Sequence, residues 1–162
     1  MTTLAIFLAL VLALSASHKL VARDRLAAAT ARLAGVNGAT GQVLSFAAAA
    51  IEGAAALALV LPGLQVVGGA IAALLWSAYG LALWRRRGMR LDCGCTVAAR
   101  EKPVDGLAVA RAALLAGLAL GVAMAPAGAM SIETPFAGLA LLVLYLAFGE
   151  LAAIPALQGR KA

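Results

Sequence analysis

Five apolar segments, each about as long as a bilayer is thick, constrain this chain more than any other feature. They cover about residues 3–20, 41–61, 64–84, 106–125 and 135–154. A transmembrane helix needs about 20 mostly apolar residues, so the pattern predicts five spans. Composition agrees, since 64% of the 162 residues are hydrophobic and 12% are charged. A soluble domain carries roughly 45–50% apolar and about 25% charged residues. An ordinary soluble enzyme, a coiled coil and a disordered chain are therefore excluded.

The segments predict an all-α fold, a multi-pass transmembrane helical bundle that forms a single integral membrane domain over residues 1–162. Helices are expected because lipid offers no partners to backbone polar groups. Pro62 and Gly63 mark a tight turn between the second and third spans. Gly117 and Gly121 form a G-x-x-x-G pair in the fourth span. This pair predicts either close packing of two helix backbones or a chance pattern in a chain rich in glycine and alanine.

Two segments near the N-terminus leave alternatives open. The first apolar segment ends in small residues at positions 15–17, which would suit signal-peptide cleavage. No Lys or Arg precedes it, however, so we favour a membrane span. The alanine-rich stretch at about residues 23–40 has Arg25 and Arg32 seven residues apart. It predicts either a short helix in the membrane interface or a solvated connector.

Basic residues outside the spans all fall on one side of a five-span topology. Of the 13 Lys and Arg residues, Arg111 lies within the fourth span, and Lys19 lies at the very end of the first, where we count it with the loop that follows. By the positive-inside rule, we expect an external N-terminus, and a cytoplasmic C-terminus and loop between spans three and four. The net charge of +6 therefore indicates membrane orientation rather than nucleic-acid binding. The other basic residues are Lys19, Arg23, Arg25, Arg32, Arg85, Arg86, Arg87, Arg90, Arg100, Lys102, Arg160 and Lys161.

The two cysteines of the chain form the most specific motif. Cys93 and Cys95 are separated by one glycine in the loop between the third and fourth spans. A disulfide needs Cα atoms within about 7 Å, and a glycine lets the chain turn between the two at low cost. A small strained ring makes a more oxidising disulfide. Arg90, Arg100 and Lys102 favour the thiolate form, whereas Asp92 opposes it. The pattern predicts a thiol–disulfide exchange centre, and hence a thiol–disulfide oxidoreductase if the protein is an enzyme.

Two other interpretations of the cysteines stay open. They are ordinary loop residues, or their thiolates join His18 in binding a soft metal. The C-x-C spacing is less usual than C-x-x-C for a metal site, and no fourth ligand is evident. We therefore prefer exchange and predict no metal.

Four polar residues are candidates for supporting the cysteines or relaying protons. Glu52 lies near the middle of the second span, and Arg111 lies about six residues into the fourth. A carboxylate at that depth is costly unless it faces a partner, so we expect a Glu52–Arg111 ion pair. The pair would serve either as an architectural link or as a proton path. His18 and Lys19 end the first span, where they move protons or simply mark the interface.

No cofactor is required by the sequence. Trp76, Tyr79 and Trp84 approach the end of the third span that bears the cysteine loop. Aromatic residues typically form a belt at the membrane interface, and we prefer that interpretation. A quinone stacked on these rings is the alternative.

Together these residues resemble the MauE family of methylamine-utilisation membrane proteins, within the broader DoxX-like group. The resemblance covers about residues 4–120. It implies a four-helix DoxX-like core plus a C-terminal helix, in the inner membrane of a bacterium. The residues that carry it are His18-Lys19-Leu20, Glu52-Gly53, Cys93-Gly94-Cys95 and Arg111.

The resemblance also implies a function. The family is associated with maturation of the disulfide-rich small subunit of methylamine dehydrogenase, an exported redox protein, together with the thioredoxin-like partner MauD. By position, Cys93 and Cys95 are the exchanging pair, and the four polar residues above support them. The alternatives are a non-enzymatic membrane scaffold and a protein that handles soft metals.

The resemblance and the charge count disagree on the side of the membrane. The implied substrate is periplasmic, whereas the basic residues place the cysteine loop in the cytoplasm. The loop could fold back into the bundle, the protein could relay electrons across the membrane, or the orientation could be the opposite one. We keep the orientation given by the charges.

Overall fold

The architecture comes from a computed structural model, which describes residues 1–91, 102–125 and 131–152. This part of the chain forms six α-helices and one two-residue antiparallel pairing, β1 with β2. The elements are α1 (Thr2–Val21), α2 (Arg23–Ala34), α3 (Gly38–Val60), α4 (Gln65–Arg85), β1 (Arg90–Leu91), β2 (Lys102–Pro103), α5 (Gly106–Met124) and α6 (Glu133–Leu151).

Five of the helices, α1 and α3 to α6, are long and apolar enough to cross a membrane. They contain 20, 23, 21, 19 and 19 residues, close to the roughly 20 that a bilayer requires. The all-α prediction and the five predicted spans are confirmed. The predicted limits agree with the helix ends to within a few residues.

The connection between the first two spans is also helical. Helix α2 buries Leu26, Ala27, Ala29 and Ala31, and it packs against the beginning of α3. The solvated connector is therefore the wrong alternative. Gly35 follows the last residue of α2, and its φ of 75° is in the left-handed region, where a residue without a Cβ is favoured.

Helix α1 is the central element of the bundle. It packs against α3 on one side and α6 on another, while α4 lies between α3 and α5. Leu8, Leu12 and Leu59 are fully buried where α1 and α3 meet the core. Many large side chains on the outer faces are exposed, such as Phe46 and Phe136. This is the pattern expected of helices whose outer faces contact lipid, since lipid tails are as apolar as the side chains themselves.

Close helix contacts depend on glycines other than the predicted pair. A Cβ on Gly68 would lie 2.7 Å from the backbone N of Leu59 in α3, and one on Gly69 would lie 2.9 Å from the carbonyl O of Ala119 in α5. Adjacent glycines thus let α4 approach two neighbours. A Cβ added to Gly117 or Gly121 would have no atom of another described helix within 4 Å. Both glycines lie on an exposed face of α5. Of the two alternatives for this pair, the chance pattern therefore agrees with the helix contacts of the described chain.

Short backbone pairings join the adjacent ends of α4 and α5. The N–H of Gly88 donates to the carbonyl of Val104 at 3.0 Å, and the N–H of Val104 donates to the carbonyl of Met89 at 2.8 Å. The next residues along form the β1–β2 pairing, in which Leu91 opposes Lys102. The end of α4 and the beginning of α5 therefore lie side by side.

Candidate functional site

The most deeply buried charges of the described chain form an ion pair between α1 and α3. Lys19 Nζ lies 2.8 Å from Oε1 and 2.9 Å from Oε2 of Glu52. Their side chains are 9% and 1% exposed, respectively. Each charge would be costly alone in a low-dielectric interior, so each requires the other.

Two hydroxyl groups complete this cluster. The Ser15 hydroxyl accepts from Lys19 Nζ at 2.8 Å and donates to Glu52 Oε1 at 3.0 Å. The Tyr79 hydroxyl donates to the same carboxylate oxygen at 3.1 Å. Lys19 Nζ also lies 5.5 Å from the centroid of the Tyr79 ring, within reach of a cation–π contact. We call Ser15, Lys19, Glu52 and Tyr79 the buried tetrad.

Within the tetrad, all three N–H donors of the Lys19 ammonium group form hydrogen bonds. A lysine ammonium has three N–H donors, and Lys19 donates to both carboxylate oxygens and to Ser15. Oε1 of Glu52 accepts from three different groups. Such a fully satisfied network stabilises one relative placement of helices, because breaking any bond leaves a buried polar group unpaired.

Local helix geometry explains how α1 presents two members of the tetrad. Ser15 and Lys19 are four residues apart, so they lie on the same face of the helix. That face contacts α3, which carries Glu52, and α3 also packs against α4, which carries Tyr79. Three helices thus converge on one carboxylate.

The predicted ion pair between Glu52 and Arg111 is wrong. Glu52 is on α3, which packs on α1, α2 and α4, whereas Arg111 is on α5, which packs chiefly against α4. The intervening helix keeps the two charges apart. Lys19 is closer because the antiparallel α1 brings its last turns beside the middle of α3. The sequence interpretation of Lys19 as a marker of the membrane interface missed this partner.

Arg111 contacts α6 instead. The Cζ atom of its guanidinium lies 3.9 Å from the centroid of the Tyr145 ring. A Cβ added to Gly149 would lie 3.2 Å from Arg111 Nη1, so Gly149 leaves room for the guanidinium beside α6. Within the described residues, the buried Nε and Nη2 atoms of Arg111 have no hydrogen-bond partner. Arg111 is therefore a cation–π link between α5 and α6 rather than half of an ion pair.

The remaining candidates occupy different environments. His18 is half-buried on α1, and its backbone carbonyl accepts from the N–H of Ala22 at 2.8 Å. Trp76 is buried in the core, so the aromatic-belt interpretation is wrong for it. Trp84 is exposed and lies 4.5 Å from Cζ of Arg87, as a residue of such a belt would be.

Cys93 and Cys95, the predicted exchanging pair, lie outside the described residues. The structure places the two flanking strands, β1 and β2, at the joined ends of α4 and α5. Within residues 1–91, 102–125 and 131–152, no three His, Cys, Asp or Glu side chains are grouped so that they could hold a metal ion. The alternative hypothesis of a metal site formed by His18 and the two cysteines stays untested, because its sulfur ligands lie outside the described residues.

Five apolar helices long enough to cross a bilayer, three of them joined by the buried tetrad, define a multi-pass integral membrane protein. Comparison with family models is more specific. The model described as methylamine utilisation protein MauE matches residues 1–126, and the chain belongs to this family. No curated protein and no solved structure matches the chain significantly.

Proposed function

We propose that this MauE family protein is a membrane thiol–disulfide redox component in which Cys93 and Cys95 exchange a disulfide with partner proteins. The observation that carries the proposal is the position of the two cysteines. Both fall within the family-matched region, in the segment whose ends are the paired strands β1 and β2. A redox pair there would be presented to a partner where α4 and α5 meet.

The proposed reaction is an exchange of one disulfide for another. A thiolate of one partner attacks a sulfur of the other partner's disulfide, and a mixed disulfide forms as one thiolate leaves. The neighbouring thiol of the attacking partner then displaces the second sulfur. One partner loses two electrons and two protons and gains a disulfide, while the other gains both and becomes a dithiol.

The buried tetrad is assigned a positioning role in this proposal. Lys19 and Glu52 neutralise each other, and their hydrogen bonds fix α1 and α3 while Tyr79 fixes α4. Since only residues 86–89 separate α4 from β1, rigid placement of α4 would hold one end of the cysteine segment. The supporting residues His18 and Arg111 would act from α1 and from the beginning of α5.

The partners and the location follow from the same proposal. We expect a thioredoxin-like partner, comparable to MauD, and an exported disulfide-rich client. The family description supports a methylamine-utilising bacterium and therefore its inner membrane. The charge distribution supports a cytoplasmic cysteine segment and an external N-terminus.

Oxidised glutathione provides a direct test of exchange with the purified, reduced full-length protein. In the wild type, one cysteine should form a mixed disulfide that the other resolves, giving an internal disulfide, two reduced glutathione molecules and no stable adduct. Cys95→Ser and Cys93→Ser should each retain one glutathione, because neither has a second thiol. Intact-mass spectrometry distinguishes these products.

Thr96→Ser is the matched control, since it changes a neighbouring hydroxyl-bearing residue and keeps both thiols. It should behave as the wild type. A wild-type protein that accumulates two glutathione adducts, or that shows no loss of thiols, would contradict the proposal.

A membrane scaffold without redox activity is the second candidate. The hydrogen bonding within the buried tetrad favours it. All three N–H donors of Lys19 are used internally, which is typical of an architectural ion pair. The scaffold predicts that Glu52→Gln abolishes function in the host while Cys93→Ser has no effect. The redox proposal predicts loss of function with Cys93→Ser.

A further inference from the structure

A groove lies between the end of α1, the beginning of α2 and the first half of α3, beside the buried tetrad. Its volume is about 510 Å³, within the range of about 300–1,000 Å³ that is typical of small-molecule sites. We call it the α1–α3 groove. Its walls include Lys19, Arg23, Gln42, Val43, Ser45 and Phe46.

Polarity changes along the groove in the direction of the helices. Arg23 lies just beyond the end of the membrane-spanning α1, and Gln42 lies in the first turns of α3. Phe46 is one helical turn further into the span, about 6 Å from Gln42 along the axis. Val43 and Phe46 are 69% and 68% exposed, respectively. Lys19 and Ser45 also line the groove, but both are buried. The exposed part of its wall is therefore polar near the membrane surface and apolar towards the hydrocarbon.

The charge of the groove is positive at its polar end. Lys19 contributes little net charge because Glu52 neutralises it and takes two of its three donors. Arg23 forms no ion pair within the described part of the chain, and no Asp or Glu lines the groove. Asp24 follows Arg23 in the chain but is not part of the lining. Arg23 and the amide of Gln42 thus offer donors to an anionic group.

We propose that the α1–α3 groove binds an anionic phospholipid. Its phosphate contacts Arg23 and Gln42, and one acyl chain lies along Val43 and Phe46. A phospholipid matches the groove in both respects, because its charge lies at the membrane surface and its chains extend inward. Basic pockets between membrane helices are known to bind such headgroups.

Native mass spectrometry of the full-length protein in detergent tests this proposal. Phosphatidylglycerol and phosphatidylcholine with identical acyl chains are compared as ligands. The protein should retain phosphatidylglycerol preferentially. Arg23→Gln should weaken that binding about fivefold, the effect expected for one basic residue near a lipid surface. Arg23→Lys, which keeps the charge, should retain most of it.

Arg32→Gln is the matched control. It makes the same charge change on the same helix but outside the groove lining, and it should leave binding unchanged. Equal retention of the two lipids, or equal losses in Arg23→Gln and Arg32→Gln, would overturn the proposal. Such a result would mean that the basic surface attracts lipid without a specific site.

Two further arms distinguish a lipid from free phosphate. Phe46→Ala should weaken phosphatidylglycerol binding because it removes part of the wall along the acyl chain. Inorganic phosphate at the same concentration should not displace the lipid. Full displacement by phosphate, with no effect of Phe46→Ala, would contradict a phospholipid site.

Discussion

Lys19 Nζ lies 2.8 Å from Oε1 of Glu52, inside a bundle whose sequence predicts a different partner for that carboxylate. The contact joins the last turns of α1 to the middle of α3. Removing either charge would leave the other buried without a counter-ion, which typically costs 3–5 kcal/mol. The pair therefore explains why two charged residues persist in so apolar a core.

This relationship predicts a specific pattern in a double-mutant cycle. Lys19→Met and Glu52→Leu should each lower the free energy of unfolding by about 3–5 kcal/mol, whereas the double variant should recover most of the loss. Unfolding titrations in mixed micelles measure these changes. Additive losses in the double variant would show that the two charges do not depend on each other.

Two serines on α1 provide a matched comparison. Ser15 bonds to both charges of the tetrad, whereas Ser17 is exposed and donates only to the backbone carbonyl of Leu14 among its described contacts. Ser15→Ala should lower unfolding stability by about 1.5–3 kcal/mol, since hydrogen bonds to charged groups contribute on that scale. Ser17→Ala should change it by less than about 0.5 kcal/mol. Equal effects of the two substitutions would contradict the buried tetrad.

The contact of Arg111 with Tyr145 predicts that the aromatic ring of Tyr145 contributes more to stability than its hydroxyl group does. Tyr145 also packs edge-on against Phe7, with ring centroids 5.7 Å apart. Tyr145→Leu should cost about 1–3 kcal/mol, because both ring contacts are lost. Tyr145→Phe should cost less. In an Arg111→Met background the cost of Tyr145→Leu should fall, and an unchanged cost would exclude the cation–π contact as a source of stability.

At Gly69 the backbones of α4 and α5 lie so close that one added methyl group should lower stability. Gly69→Ala places a Cβ 2.9 Å from the carbonyl O of Ala119, so α4 and α5 must separate at a cost of about 1–3 kcal/mol. Gly121→Ala is the control, because a Cβ there meets no atom within 4 Å. Thermal unfolding in detergent should show a lower midpoint for Gly69→Ala only. Alanine favours a helix more than glycine does, so Gly121→Ala should not lower the midpoint. A comparable decrease for Gly121→Ala would contradict close packing at Gly69 as the cause.

The sequence predicts the helices well and their neighbours poorly. Apolar length determines where a chain can cross a bilayer, so the five spans and the turn at Pro62 follow from composition and order. Which helices touch depends on how each helix is rotated about its own axis. The hydrophobic pattern gives little information on this rotation, because all faces of these helices are apolar. The G-x-x-x-G pair at Gly117 and Gly121 illustrates this, since the motif is present on an exposed face.

The candidate site was likewise predictable in part: the sequence indicated which residue needs a partner but not which residue that partner is. Glu52 was identifiable as a residue in need of a partner because a carboxylate in hydrocarbon is costly. Its actual partner, Lys19, stood at a helix end and fitted the role of an interfacial residue equally well. The spacing of Ser15 and Lys19 on one face was the available signal, and Tyr79 had a simpler explanation as part of an aromatic belt. Antiparallel packing of α1 on α3 decides between these roles.

Labelling of Cys93 and Cys95 in native membranes tests the central claim most directly. A membrane-impermeant maleimide is applied to each face of sealed vesicles, before and after reduction, and the attached labels are counted by mass. If the two cysteines form a disulfide, oxidised membranes should show little labelling, and reduced membranes should show two labels from the face that carries the basic segments. Two labels without any reduction, under oxidising conditions, would contradict a disulfide-exchanging pair.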